Sequence, residues 1–393
     1  MKLRYVLNNA YGTGGTVRTV VNQANALCAE HDVEIASVFR IRERPVFPID
    51  PRVRLVSLTD LREDGSRWTD PAGENSRFWR KTRRFRNRLP HRHDFRYRRW
   101  DPVVDAAVIR YFRAAAGGVL ITTRPGLNLL SAWFGPRRAI RIAQDHMNFK
   151  SYKPALQQAI RTAYPRLDAV TVLTEHDLVS YREVLSGSPV RLECIPNGIP
   201  VPATEGSSPD AKRVIAAGRF GRQKGFDMLV EAWAGVHERH PDWGLTVFGA
   251  GTMRDGVMAR AAELGLSGSI RFPGLTRQME TELAASSLYV LSSRFEGLPM
   301  VLLEAMATGL PAVAFDCPTG PSEVIEDGVN GLLVPPEDIP GLTAALCELI
   351  EDPERLRAMG AAAVKSSERY QIPAVASHWN QFFTELSERP TFR

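Results

Sequence analysis

The chain has 393 residues, 44% of them hydrophobic and 24% charged, with a formal net charge of +6. That length exceeds one typical core and predicts two domains, and the composition is that of a globular protein, which excludes a disordered or fibrous chain. No apolar run approaches the length of a bilayer span, the N-terminal stretch Met1–Asn9 meets asparagine too early for a signal peptide, and Cys28, Cys194, Cys317 and Cys347 lack metal-ligand spacing and read as core thiols of a reducing cytosol.

The first strand is Arg4–Leu7. It runs into the glycine turn Gly12-Thr13-Gly14-Gly15 and then a helical pattern with Val17, Val20, Val21, Ala24 and Leu27 on one face. Strand, glycine turn and helix N-terminus together form an anion cradle, because backbone N–H groups and the helix dipole face the same point. The second strand, Val33–Val38, does not end in the acidic residue that a dinucleotide fingerprint needs for the adenosine ribose. Val53–Leu58 reads as a third strand.

From Arg62 to Trp100 the alternation is lost. Residues 77–99 carry eleven lysines and arginines against Asp94 alone, interleaved with Phe78, Trp79, Phe85, Phe95 and Tyr97. The rest of the chain is therefore slightly acidic, and the basic pI reflects one segment. That segment suits an anionic polymer or the anionic face of a membrane, or else a solvated insertion; it does not make the whole surface a nucleic-acid coat.

The α/β rhythm resumes at Val119–Thr123 and Ile140–Ala143. The latter ends in Gln144-Asp145-His146, which places His146 at a strand's carboxyl end, where α/β sheets bind ligands. Ala169–Leu173 and Val190–Ile195 follow, and Ile199–Ala211 is rich in Pro, Ser and Gly and reads as an interdomain linker. A second α/β series then begins with Val214–Ala217. Arg219 closes that strand and Lys224 opens the next helix, so two cations face one crevice and can hold a diphosphate. Leu245–Phe248 ends in Gly249-Ala250-Gly251. Ile270–Gly274 is followed by Leu275, whose backbone is placed to meet a flat base. Leu288–Leu291 leads through Glu296, Gly297 and Leu298 into a helix carrying Glu304. Ala312–Phe315, Gly331–Val334 and helices over 339–370 complete the domain, and an amphipathic run from Ala374 to Leu386 is placed to pack back on the first. Two carboxylates at E-x7-E spacing suit the hydroxyls of a polyol, but spacing alone decides little, since Glu175 and Glu183 repeat it on a helix that reads as solvated.

Taken together, these motifs resemble the retaining nucleotide-sugar-dependent glycosyltransferases of the GT-B class called family 4, in particular those acting on cell-envelope polymers. The resemblance runs through Gly12–Gly15, His146, Pro196-Asn197-Gly198, Gly218-Arg219, Lys224-Gly225, Gly249–Gly251, Phe272–Gly274, Glu296 and Glu304. It implies an α/β GT-B fold of two Rossmann-like doubly wound domains facing each other across a cleft. Residues 1–198 form the acceptor domain, with a basic insertion at 62–115 that has no family counterpart. Residues 199–372 form the donor domain, and 373–393 return to the first. The resemblance also implies that Arg219 and Lys224 bind the donor diphosphate, Gly14 and Gly15 approach it from the first domain, Glu304 holds the ribose, and Glu296 and His146 contact the donor sugar. Leu275 would serve the base, and Gly218, Gly249, Gly297 and Leu298 would line the donor site. The implied activity is a retaining, metal-independent hexosyl transfer from a UDP-sugar, without a cofactor, to an anionic polymer, glycan or lipid-linked acceptor. It would take place in the cytoplasm at the inner face of the plasma membrane, with residues 77–99 on that surface and no nucleic-acid partner. The competing readings are an NAD-linked oxidoreductase, which needs the complete fingerprint that is missing, and a non-enzymatic polymer- or membrane-binding protein acting through residues 77–99.

Overall fold

The computed structural model describes residues 1–61, 94, 100, 102–203 and 206–388. The chain divides into two compact units, Met1–Gly198 with Val375–Arg393, and Ile199–Ala374. Each is built around a fully parallel sheet.

In the first unit the strands are β1 (Lys2–Leu7), β2 (Asp32–Arg40), β3 (Arg54–Asp60), β4 (Val119–Thr122), β5 (Ile140–Gln144), β6 (Ala169–Val172) and β7 (Arg191–Cys194). Their order among the described residues is β3-β2-β1-β4-β5-β6-β7. In the second unit β8 (Arg213–Ala217), β9 (Gly244–Phe248), β10 (Ile270–Gly274), β11 (Leu288–Leu291), β12 (Ala312–Phe315) and β13 (Gly331–Val334) run in the order β10-β9-β8-β11-β12-β13. Both are doubly wound Rossmann-like sheets, so each has a point where the winding reverses: between β1 and β4, and between β8 and β11. The strands are short apolar runs such as Leu-Tyr-Val-Leu in β11, all four buried, because helices cover both faces.

One helix escaped the sequence pattern. Pro102–Ala114 lies where no family counterpart was legible, yet its Val104, Val108 and Phe112 are fully buried against Val6, Val38 and Phe39. The i, i+4, i+8 spacing was present, but the arginine-rich stretch before it obscured it. The basic segment 77–99 otherwise lies outside the described residues; Asp94, the one acid in it, is buried on Arg124.

The chain leaves the first unit at Gly198, builds the second, and returns. Ile199 and the 370–372 stretch pair where the crossings meet, with Ile199 N donating to Tyr370 O at 2.9 Å and Ile372 N to Ile199 O at 2.8 Å. The final helix, Ile372–Glu388, then lays Val375, Trp379, Phe382, Phe383 and Leu386 into the core formed by Tyr5, Val20, Val21 and Ala24. Trp379 is completely buried and its indole N–H has no partner among the described residues, so its role is volume rather than hydrogen bonding. Trp379→Ala should cost about 3–5 kcal/mol in chemical denaturation, whereas Trp379→Phe should cost about 1.5 kcal/mol or less, because it keeps most of the packing and loses no bond.

Candidate functional site

In the second unit the site is assembled by the loops that leave β8, β11 and β12. After β8 the chain makes a 3-10 turn, Arg222–Lys224, before the helix Phe226–Arg239, so Lys224 sits ahead of that helix rather than inside it. Gly225 takes φ 62° at the helix cap, where a side chain would strike the carbonyl oxygen of Ser292. That contact draws the β11 loop onto the β8 loop. The two are then bonded at several points: Ser292 Oγ donates to Lys224 O at 3.0 Å, Arg294 N to Gln223 O at 2.8 Å, and Gln223 Nε2 to Phe295 O at 3.1 Å. Arg294 adds a bidentate pair with Asp227, at 3.0 and 2.7 Å, which holds the Asp227 carboxyl below the usual carboxylate range.

This stitching brings Lys224 Nζ to 2.6 Å from Glu296 Oε1, which also accepts Ser293 Oγ at 2.5 Å. The Glu296 side chain is 6% exposed and that of Lys224 19%. The sequence reading set Lys224 with Arg219 and Glu296 with Glu304; the structure pairs the lysine with the nearer glutamate directly. Glu296 is further fixed through its backbone, as its N donates to Pro318 O at 3.2 Å and its carbonyl accepts Thr319 Oγ1. Thr319 itself is held at φ 59°, a left-handed conformation uncommon outside glycine and concentrated at functional loops. Burial, with the Glu296 charge as the second cause, pushes the Cys317 thiol up to about 12.

The other sequence-assigned residues fall around this pair in different states. Arg219 is exposed just past β8, and Glu304 is half-buried in the helix Met300–Ala307. Leu298 is buried, Gly297 partly so, and Leu275 stands 81% exposed after β10. Gly218 lies against the methylenes of Lys224, and Gly249, at φ 145°, is buried where a Cβ would strike the Gly218 carbonyl. Glu175 and Glu183 both face solvent, which separates the second E-x7-E from the first.

In the first unit, helix Gly15–Leu27 begins with no side-chain cap and no acid in its first turn, leaving its positive end open. Gly14 and Gly15 are exposed, and a Cβ at either would meet nothing within 4 Å. Among the described residues, nothing crowds either position. His146 is half-buried with both ring nitrogens enclosed and no partner among the described residues. Burial first, and then the Arg124 charge, push its pKa down to about 4, so the ring is neutral at physiological pH. Asn8 Oδ1 after β1 and Asn197 Oδ1 after β7 are likewise buried without a partner. Asn8 carries no sequence motif and was missed. So was the salt bridge of Arg124 with Asp94, in which Arg124 Nε donates at 2.8 Å and Gly126 N at 3.1 Å, since the partners are distant in sequence. Among the described residues no group of three His, Cys, Asp or Glu side chains is placed to hold a metal ion.

A depressed histidine pKa destabilises the fold in acid: the contribution is complete above about pH 6.5, where the unfolded residue is also neutral, and is lost as pH falls toward about 4. His146→Gln should therefore raise the melting temperature relative to wild type more at pH 5 than at pH 7.5; an equal difference at both would show that the ring protonates normally.

Residues 202–366 match the family described as glycosyl transferases group 1. An exopolysaccharide phosphotransferase of Streptomyces coelicolor is 35% identical over 401 residues, covering 99% of this chain, which spans only 41% of that protein. The amylovoran biosynthesis glycosyltransferase of Erwinia amylovora is 29% identical over 286 residues, 69% of this chain and 79% of that one. Among solved structures, S. aureus TarM, a mutant in complex with fondaparinux, alpha-GlcNAc-glycerol and UDP, gives a TM-score of 0.74 at 16% identity, covering 97% of this chain and 99% of that. Sucrose-phosphate synthase from Thermosynechococcus elongatus gives 0.75 at 19% identity, over 98% and 99%. At those identities the structural likeness is one of fold, and the fold is GT-B. The segment 202–366, most of the second unit, belongs to the glycosyl transferases group 1 family.

Proposed function

We propose that the chain is a retaining glycosyltransferase that moves a hexose from a UDP-sugar to a hydroxyl of a cell-envelope glycan or teichoic-acid-like polymer. The observation that carries this reading is the Lys224–Glu296 pair, 2.6 Å apart at the carboxyl ends of β8 and β11, on either side of the winding reversal. The names of relatives support the substrate class: amylovoran biosynthesis for one and poly(glycerol-phosphate) alpha-glucosyltransferase for another, and TarM was crystallised with UDP.

Glycosyl transfer builds positive charge at the anomeric carbon and negative charge on the departing diphosphate. A lysine ammonium has three donors, and Glu296 takes one of those of Lys224, leaving two for phosphate oxygens. Arg219, exposed beside it, supplies a second cation, so the leaving group's charge is met by the protein's own groups rather than a metal. Glu296 accepts both of these side-chain bonds on Oε1, which leaves Oε2 to accept from a sugar hydroxyl. Glu304 takes the ribose hydroxyls, Leu275 the base, and Gly218, Gly249, Gly297 and Leu298 the donor's flanks. In the first unit the open helix end at Gly14 and Gly15 suits a phosphate, and neutral His146 suits a sugar hydroxyl. Retention follows from front-face displacement, in which the leaving phosphate oxygen takes the acceptor's proton as the new glycosidic bond forms on the same face. Residues 77–99, of which only Asp94 is among the described residues, have the charge for an anionic acceptor or for the inner leaflet of the membrane. Among the described residues no helix is long and apolar enough to cross a membrane.

Release of nucleoside diphosphate from UDP-glucose, UDP-N-acetylglucosamine, GDP-mannose and ADP-glucose tests the donor, and turnover is expected with a UDP-sugar. Lys224→Ala and Glu304→Ala should each lose about 100-fold or more in donor turnover; Glu304→Ala should melt within a few degrees of wild type, whereas Lys224→Ala, which leaves the buried Glu296 carboxylate without its cation, should melt lower while still folding; near-normal kinetics in either folded variant would refute the assignment. The full chain should co-sediment with phosphatidylglycerol vesicles and not with phosphatidylcholine vesicles, and equal pelleting with both would remove the membrane role.

A further inference from the structure

The carboxyl end of β5 holds a side-chain cluster that donor binding does not explain. Asp145 follows the strand, is 2% exposed, and its N donates to Thr171 O at 2.9 Å, tying it to β6. Three tyrosines from three different segments converge on its carboxylate. Tyr152, after the turn Phe149–Ser151, donates to Oδ1 at 2.8 Å. Tyr181, from the helix Glu175–Val184, donates to Oδ2. The Tyr164 hydroxyl stands 3.2 Å from Oδ2 and 2.9 Å from the Asn128 amide. Their rings pack as one body, Tyr164 stacked on Tyr181 at 6.3 Å and Phe149 set edge-on to Tyr181 at 5.2 Å.

A buried carboxylate held this way is a poor means of gaining stability, since apolar side chains of similar volume would serve as well or better. What it achieves is a fixed backbone at residue 145. The next residue is His146, whose two ring nitrogens are enclosed with no partner among the described residues.

We propose that Asp145, Tyr152 and Tyr181 are positioning residues for His146: the tyrosines clamp the Asp145 carboxylate, and the clamp sets the direction in which the imidazole meets its ligand. This rests on the glycosyltransferase reading only in naming that ligand as the donor sugar.

The charges facing the cluster make the clamp sensitive to pH. Burial raises the Asp145 carboxyl to about 6 although Tyr181, Tyr152 and Tyr164 all act to lower it, and Asp177 adds to the rise. His146 faces Arg124 and is pushed down to about 4. Acidification therefore protonates Asp145 first. A protonated carboxyl is itself a donor, so one tyrosine hydroxyl must reverse its role from donor to acceptor, and the clamp changes while His146 is still neutral.

The full chain carrying 13C-labelled histidine tests this without any donor present. The His146 signal is identified by its loss in His146→Gln. It should move with a midpoint of about pH 6, set by Asp145. The movement should vanish in Asp145→Asn and shift to higher pH in Tyr181→Phe, which removes a bond favouring the ionised carboxyl. A His146 signal indifferent to both variants would overturn the proposal. If Asp145→Asn does not fold, Tyr152→Phe and Tyr181→Phe carry the test. With UDP-N-acetylglucosamine or whichever UDP-sugar is turned over, each Phe variant should lower kcat about tenfold and leave the donor KM within about twofold, as expected for misplacement rather than lost binding; unchanged kcat in both would count against it. A His146 signal that behaves as expected in a protein that turns over no sugar nucleotide would sustain the positioning role and overturn the glycosyltransferase reading alone.

Discussion

The second unit depends on one contact, the ion pair between Lys224 and Glu296. Its partners are 72 residues apart and come from loops on opposite sides of the point where the sheet's winding reverses. A lysine and a glutamate there, both largely buried, would be costly if either stood alone. Each is instead held in position by the other, and Glu296 also by Ser293 and by the backbone and side chain of the 318–319 loop. The glycines serve this contact: Gly225 lets the β8 loop lie on the Ser292 carbonyl, and Gly249 lets the β9 turn pass beneath Gly218. Preorganisation of this kind is what electrostatic catalysis requires, because charges already fixed in place need no rearrangement when a leaving group's charge develops.

The first unit solves a different electrostatic problem. The carboxyl ends of its strands carry neutral polar groups: an uncapped helix end at Gly15, the buried oxygens of Asn8 and Asn197, and a neutral His146. Burial acts on the adjacent Asp145 and His146 in opposite senses, raising the acid and lowering the base, and so drives both toward their neutral forms. A surface built this way offers hydrogen bonds without strong net charge.

Much of this was legible in the chain itself. Most strands of the two sheets are apolar runs bounded by turn residues, β7 (Arg-Leu-Glu-Cys) and β10 (Ile-Arg-Phe-Pro-Gly) being mixed, and the glycine turns, His146, Arg219, Lys224 and Glu296 fall in the segments that follow strands, with Glu304 in the helix beyond β11. These are local properties: hydrophobic period, turn chemistry and the step from strand to helix are encoded within a dozen residues. The helix Pro102–Ala114 was equally encoded and was missed only because the arginines before it broke the rhythm.

What the sequence could not determine is which of these residues meet. It presented two cations and two carboxylates; tertiary structure chose Lys224 with Glu296 and left Arg219 exposed and Glu304 within its helix. Nor did it show that Asp145 is gripped by tyrosines 7, 19 and 36 residues further along, or that Asp94 of the basic segment is seated on Arg124. Residue type and spacing fix the elements and the edge of the sheet on which chemistry is placed. Partner choice and protonation state depend on burial and on distances between atoms remote in the chain, and those exist only once the sheets have formed.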